Sequence, residues 1–304
     1  MNLLKIISIW SITMMMPVYG KDVPLKTGSG SFDIEGGEKH PEKTIKVYYH
    51  KPASFSAETK VLFVVPGAGR NGWSYRDTWK KASEKHDVLV LSPSYSEKSY
   101  PNFWNYNLAG MVKNVVINKE RTAVVSLEVV KEPNKWIYSD FDRIFDKVVN
   151  DSSLSAKDYD MFGHSAGGQI LHRFALFYPE NKANRILASN SGWYTVPDYT
   201  EQFPYGLKDA PIDTEKMDLS FNNKLTVFLG EMDNQDEIRG HLVRNSVIDK
   251  QGTHRFSRGK YFFEKSQLLA ENYGYLFNWK IHVVPNIGHN YRGISQAAAV
   301  YLYE

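Results

Sequence analysis

A serine between glycines, an aspartate after an apolar run and a histidine near the C-terminus could together cleave an acyl bond. The serine is Ser165, in Gly163-His164-Ser165-Ala166-Gly167, which matches G-x-S-x-G. At ordinary residue frequencies about 0.1 such matches arise by chance in a chain of this length, so the pattern alone says little. Its context says more: residues 158–162 form a short apolar strand and residues 166–177 have helical spacing. A serine on a sharp strand-to-helix turn needs glycines two residues away on each side, because side chains there would strike neighbouring backbone. Such a turn lifts the hydroxyl above the sheet and aims the helix N-terminus at it. The free N–H of Ala166 then suits a developing oxyanion. The plainer reading is a glycine-rich turn carrying a solvated serine.

A serine hydroxyl is a poor nucleophile without a base. Of nine histidines, His289 in Pro285-Asn286-Ile287-Gly288-His289-Asn290 is best placed. It follows the last buried strand, and α/β folds gather functional groups at the C-terminal ends of parallel strands. The alternative is a loop histidine bonded to backbone. His164 and His172 read as packing residues, the second on the far face of its helix. A carboxylate must fix the imidazole tautomer, and Gly230-Glu231-Met232-Asp233 turns off the 225–229 strand. Asp233 is the choice and Asp236 the runner-up. A second oxyanion donor is expected in Pro66-Gly67-Ala68-Gly69-Arg70-Asn71-Gly72, at Ala68 or alternatively Gly69. A phosphate-binding loop would need a G-K-[ST] ending and a nearby acidic metal ligand, and has neither.

These residues need a scaffold. The apolar runs at 60–65 and 87–91 read as strands buried on both faces, and 44–50 as an edge strand. Residues 111–117 and 122–130 suggest a hairpin turning at 118–121, with further strands at 185–189, 224–229 and 279–284. Helices are expected at 73–85, 259–272 and 295–303. Phe141, Ile144, Phe145, Val148 and Val149 mark the apolar face of another, capped by Ser139 or Asp140. Strands alternating with helices predict a single α/β domain, with a mainly parallel sheet and helices on both faces. Residues 21–43 read as a poorly ordering segment. Residues 190–223 show no periodicity and suggest a lid-like insertion.

Composition narrows the function. With 37 basic and 34 acidic residues in 304, the formal charge of +3 gives no nucleic-acid footprint. The absence of cysteine excludes disulfides, thiolate metal sites and cysteine nucleophiles. Residues 1–20 carry one charge, Lys5, an apolar run too short to span a bilayer comfortably, and Val18 and Gly20 at cleavage-site spacing. They read as a signal peptide, leaving residues 21–304 as a secreted or periplasmic domain with no membrane span. The competing reading is an uncleaved anchor.

The chain resembles the secreted bacterial α/β-hydrolases related to polyhydroxybutyrate depolymerases and feruloyl esterases. The likeness runs through residues 64–106, 163–174, 191–194 (Ser-Gly-Trp-Tyr), 228–233 and 255–289. The order Ser165, Asp233, His289 is also that of the α/β-hydrolase fold. Two departures are Pro66, where many relatives have histidine, and the lack of cysteine. The resemblance implies ester hydrolysis, on a small or polymeric ester. The expected route is an acyl-enzyme, with Ala68 and Ala166 as the oxyanion hole and no metal or organic cofactor. Peptidase or thioesterase action, and a silent binding protein of the same fold, remain open. Trp193 and Tyr194 could bind substrate or pack the insertion onto the core. Arg255, Arg258 and Lys260 could form a solvated face or a carboxylate clamp.

Overall fold

Strand β1 (Gly28–Glu35) pairs antiparallel with β2 (Thr44–Lys51), and β2 antiparallel with β4 (Val88–Ser94). From β4 the sheet continues in parallel through β3 (Lys60–Val65), β7 (Tyr159–His164), β8 (Ala183–Ser189), β9 (Leu225–Gly230) and β10 (Lys280–Val284). The hairpin β5 (Val112–Ile117) and β6 (Val124–Val129) stands outside this sheet. The computed structural model describes residues 25–37, 40–119, 124–212, 214–235 and 242–304. The expected leader at 1–20, part of the 118–121 turn and Asp236 lie outside the described residues.

Helices cover both faces. On one side α1 (Gly72–Thr78), α2 (Lys80–His86) and α7 (Tyr291–Tyr303) enclose Leu62, Val64, Phe162 and Phe228. On the other, α3 (Tyr138–Ser152), α4 (Ala166–Phe177) and α6 (Arg255–Tyr273) enclose Val61, Phe63, Met161 and Val227. Successive side chains of a strand point to opposite faces, so a strand between two helical layers must be apolar throughout. That is why β3 shows no alternation.

The structure corrects several expectations. Residues 44–50 are not at the edge, because β1 lies outside them. Its polar composition suggested disorder, yet Ser29, Ser31, Asp33 and Glu35 are the exposed alternate positions of a half-buried strand. Gly30 lets the Tyr49 ring lie against the backbone, where an added Cβ would come within 2.4 Å of it. The 73–85 helix is two short ones with Trp79 buried between them. Helix α3 begins at Tyr138 with no side-chain cap, and Asp140 is instead buried as an acceptor for Arg143 and Tyr95.

Among the described residues of 190–223 there are a 3-10 turn (Thr214–Lys216), one short α-helix, α5 (Met217–Asn222), and an isolated bridge between Gln202 and Lys208. The first part packs closely, since Trp193, Tyr194, Val196, Phe203 and Leu207 are all buried. Among the described residues, no helix is long and apolar enough to cross a membrane.

The central position of β7 makes its side chains costly to remove. Phe162→Ala, beside Trp79, should lower unfolding free energy by about 3–5 kcal/mol, whereas Val300→Ala on exposed α7 should cost under about 0.5 kcal/mol. Urea titration of the two variants would show equal losses if this packing account were wrong.

Candidate active site

Five neighbouring strands end level with one another. Val65 is in register with Gly163, His164 with Ser189, Ser189 with Phe228, and Val284 with Gly230. Every loop carrying a candidate residue therefore leaves the sheet at the same edge. Ser165 sits at the turn from β7 into α4 with φ 58° and ψ −113°. Its N–H donates to the Ser189 carbonyl at 2.9 Å, and its carbonyl accepts from Gln169 N–H at 3.0 Å. A Cβ on Gly167 would lie 2.1 Å from the Val65 carbonyl oxygen, and one on Gly163 would lie 2.5 Å from that of Gly167. The glycines on both sides of the serine are thus required by backbone contact.

His289 lies on the loop after β10, next to Asn290, whose side chain caps α7. Its Nδ1 is 2.8 Å from Asp233 Oδ2, and its Nε2 is 3.2 Å from Ser165 Oγ. A carboxylate only accepts, so Nδ1–H donates to Asp233, which leaves Nε2 to accept the serine proton. Burial is graded along this line, from Asp233 at 5% exposure to His289 at 23% for its side chain. The acid and base loops are stitched together: Glu231 N–H donates to Val284 and Met232 N–H to Ile287, each at 2.9 Å. Arg255 Nη1 stands 3.7 Å from Asp233 Oδ1, so a buried cation faces the carboxylate.

The glycine-rich loop lies beside the serine. A Cβ on Gly67 would be 3.6 Å from Ser165 Cβ. Ala68 and Gly69 are exposed there, while Ala166 is buried at the head of α4. Arg70 fixes the loop by donating to the carbonyls of Tyr95, Tyr100 and Asn102. The Tyr106 hydroxyl donates to the Pro66 carbonyl at 2.7 Å. A hydroxyl with a base 3.2 Å away, beside a glycine-rich loop and at the head of a helix, has the parts that acyl transfer needs.

Other candidates lie elsewhere. Trp193 is buried over the Arg173 guanidinium, 4.2 Å from carbon to ring centre, and Tyr194 stacks on Phe262 at 4.6 Å. Both pack the insertion onto the core. Arg258 is fully buried and Arg255 nearly so, which overturns the solvated face for these two; Arg258 instead donates to the carbonyls of Gly252, Gly192 and Val243.

His164 is buried with its ring 4.5 Å from that of His289, and Tyr75 Oη lies 3.2 Å from its Nδ1. His172 is fully buried as well. Asn190 escaped the sequence reading although its side chain donates to Asp233 Oδ2 at 2.5 Å. Its one sequence signal is its place at the end of a parallel strand, immediately before Ser191-Gly192-Trp193-Tyr194.

The strand order, with its antiparallel second strand and the serine at the β7–α4 turn, defines an α/β-hydrolase fold. No protein-family model and no curated protein matches the sequence. Among solved structures, poly(aspartic acid) hydrolase-1 from Sphingomonas sp. KT-1 is similar at 34% identity and TM-score 0.80, over 92% of this chain and 100% of that one. LpqC, a poly(3-hydroxybutyrate) depolymerase from Bordetella parapertussis, is similar at 25% identity and TM-score 0.80, over 91% and 90%. Siderophore hydrolase EstA from Aspergillus nidulans shares the fold alone, at 11% identity and TM-score 0.56 over 94% and 98%. The chain belongs to the α/β-hydrolase family related to poly(3-hydroxybutyrate) depolymerases.

One buried histidine gives a pH signature. His172 Nδ1 is 3.1 Å from the Gly168 carbonyl, and its Nε2 accepts the Thr195 N–H at 3.1 Å. The ring is therefore neutral, and burial, with Arg173 close by, holds its pKa well below the usual value. The unfolded chain takes a proton near pH 6.5 that the folded chain refuses. Stability is thus full above that pH and falls as pH drops towards the folded pKa, by up to about 1.4 kcal/mol per pH unit. His172→Gln can keep both bonds without titrating, so its urea midpoint should fall less between pH 7 and pH 5. Equal slopes in the two proteins would refute this.

Proposed function

We propose that the protein is an exported serine hydrolase that cleaves carboxylic esters through Ser165, His289 and Asp233. The observation that carries this reading is the continuous hydrogen-bond line from Asp233 through His289 to Ser165, 2.8 Å and 3.2 Å long, at the level ends of parallel strands. His289 Nε2 takes the proton as Ser165 Oγ attacks the acyl carbon. The N–H groups of Ala68 and Ala166 hold the resulting oxyanion. His289 returns the proton to the leaving alcohol, and the acyl group stays on Ser165. Water then gives a proton to His289 and attacks the acyl-enzyme, releasing the acid and restoring the serine. Asp233 holds the imidazole in the required tautomer and stabilises its charged form. No step calls for a metal or organic cofactor.

The similarity to a depolymerase and other hydrolases supports the reaction class. A second reading comes from the 34% identity to a poly(aspartic acid) hydrolase: the scissile bond is an amide in an anionic polymer. The same serine chemistry serves both bonds, with an amine leaving in place of an alcohol. Export rests on residues 1–20 alone, with the mature domain beginning at Lys21.

Residues 21–304 assayed on p-nitrophenyl esters of graded chain length and on poly(aspartic acid) would test the reading. Ester turnover is expected, with Ser165→Ala lowering kcat by about 10⁴-fold or more and Asp233→Asn by about 10⁴-fold. A fluorophosphonate probe should label Ser165. Polymer cleavage without ester turnover would favour the amide reading, and a folded protein that neither turns over nor labels would overturn both.

A further inference from the structure

We propose that Asn190 is the positioning residue that orients Asp233 for the serine chemistry above, an inference that rests on that reading. Asn190 is the residue after β8, is 1% exposed and has φ 48°. Asparagine tolerates this left-handed backbone better than most side chains. Its Oδ1 accepts from Gly230 N–H at 3.1 Å and from Ser189 Oγ at 2.8 Å. Two donors on that oxygen fix which way the amide faces, so Nδ2 must point at Asp233 Oδ2, 2.5 Å away. A flipped amide would set its oxygen against the carboxylate and its NH₂ against the Gly230 N–H.

Asp233 Oδ2 thus accepts from Asn190 on one side and from His289 Nδ1–H on the other. Two donors converging on one oxygen hold the carboxylate plane, and with it the ring that must reach Ser165. The same strand end also holds the serine, since the Ser189 carbonyl accepts the Ser165 N–H at 2.9 Å. Ser189 and Asn190 therefore tie the nucleophile's backbone and the acid's side chain to one dipeptide. Arg255 flanks the other carboxylate oxygen at 3.7 Å, and the His164 ring flanks His289 at 4.5 Å. Asn190 supplies a donor to this group without adding charge.

The discriminating variant is Asn190→Leu, which keeps nearly the same shape but can neither donate nor take up a proton. An aspartate there would not serve, because a carboxyl this close to Asp233 holds a shared proton and can donate as asparagine does. Asn190→Ala removes the side chain altogether. Both should lower kcat for a p-nitrophenyl ester at pH 8 at least tenfold, with KM within twofold of wild type and the protein folded at the assay temperature. In both the acid limb of kcat/KM should move to higher pH, because an undonated carboxylate stabilises the imidazolium more strongly. Wild-type kcat in Asn190→Leu, or losses in both variants that only track unfolded protein with the limb unmoved, would overturn the role. Ser165→Ala and Asp233→Asn run alongside separate the two levels. If those two stay active, the underlying serine reading has failed; if they are inactive while Asn190→Leu matches wild type, only the role of Asn190 has.

Discussion

The backbone at Ser165 is the constraint on which the rest of this molecule turns. A serine at φ 58° and ψ −113° sits where side chains other than glycine seldom go, at a cost of about 1–3 kcal/mol. The surroundings over-determine it. Its N–H is taken by the Ser189 carbonyl and its own carbonyl by Gln169. Gly163 and Gly167 let β3, β7 and α4 approach until backbone meets backbone. Relaxing the turn would break these bonds and swing the hydroxyl off His289, so the strain and the geometry of the site are one feature.

Level strand ends turn that local constraint into a site. The candidate groups come from five loops, yet the parallel register sets their starting points in a row. Side-chain bonds do the rest. Asp233 is buried where its charge is shielded from water, His289 is half-hidden, and the Ser165 hydroxyl stands at the rim. Buried hydrogen bonds gain from the low local dielectric, which keeps the carboxylate end rigid while the serine end remains reachable.

Much of this was legible in the residues, for physical reasons. Gly163 to Gly167 could be read because the turn imposes glycines on local sequence, and His289 because it follows a buried strand. Strand β1 was missed because its alternation lies in serine, glycine and aspartate, with only Phe32 and Ile34 to mark the inner face. The break at Trp79 leaves no local mark, since both halves carry helical spacing. Asn190 was invisible because its role depends on Gly230 and Asp233, forty residues and more along the chain. Trp193 and Tyr194 show the converse: an aromatic pair at a strand end has the composition of a pocket, and only burial reveals that it packs.

Buried arginines explain why loops so poor in regular structure can hold such a site. A guanidinium offers five donors in a fixed plane, enough to collect several backbone carbonyls that no strand or helix satisfies. Arg70 gathers the carbonyls of Tyr95, Tyr100 and Asn102. Arg173 takes those of Asn107 and Gln169, together with Thr195 Oγ1. Arg258 takes those of Gly252, Gly192 and Val243, with Asp249 Oδ1 at 3.2 Å. Burial lowers the pKa of Arg173 to about 9 and that of Arg258 to about 10, and both stay charged at neutral pH. Each cation is thus solvated by the loops it organises, and each loop loses its carbonyl partners if the cation leaves. A loop closed this way needs no periodic sequence, which is why residues 191–197 look featureless and are still buried.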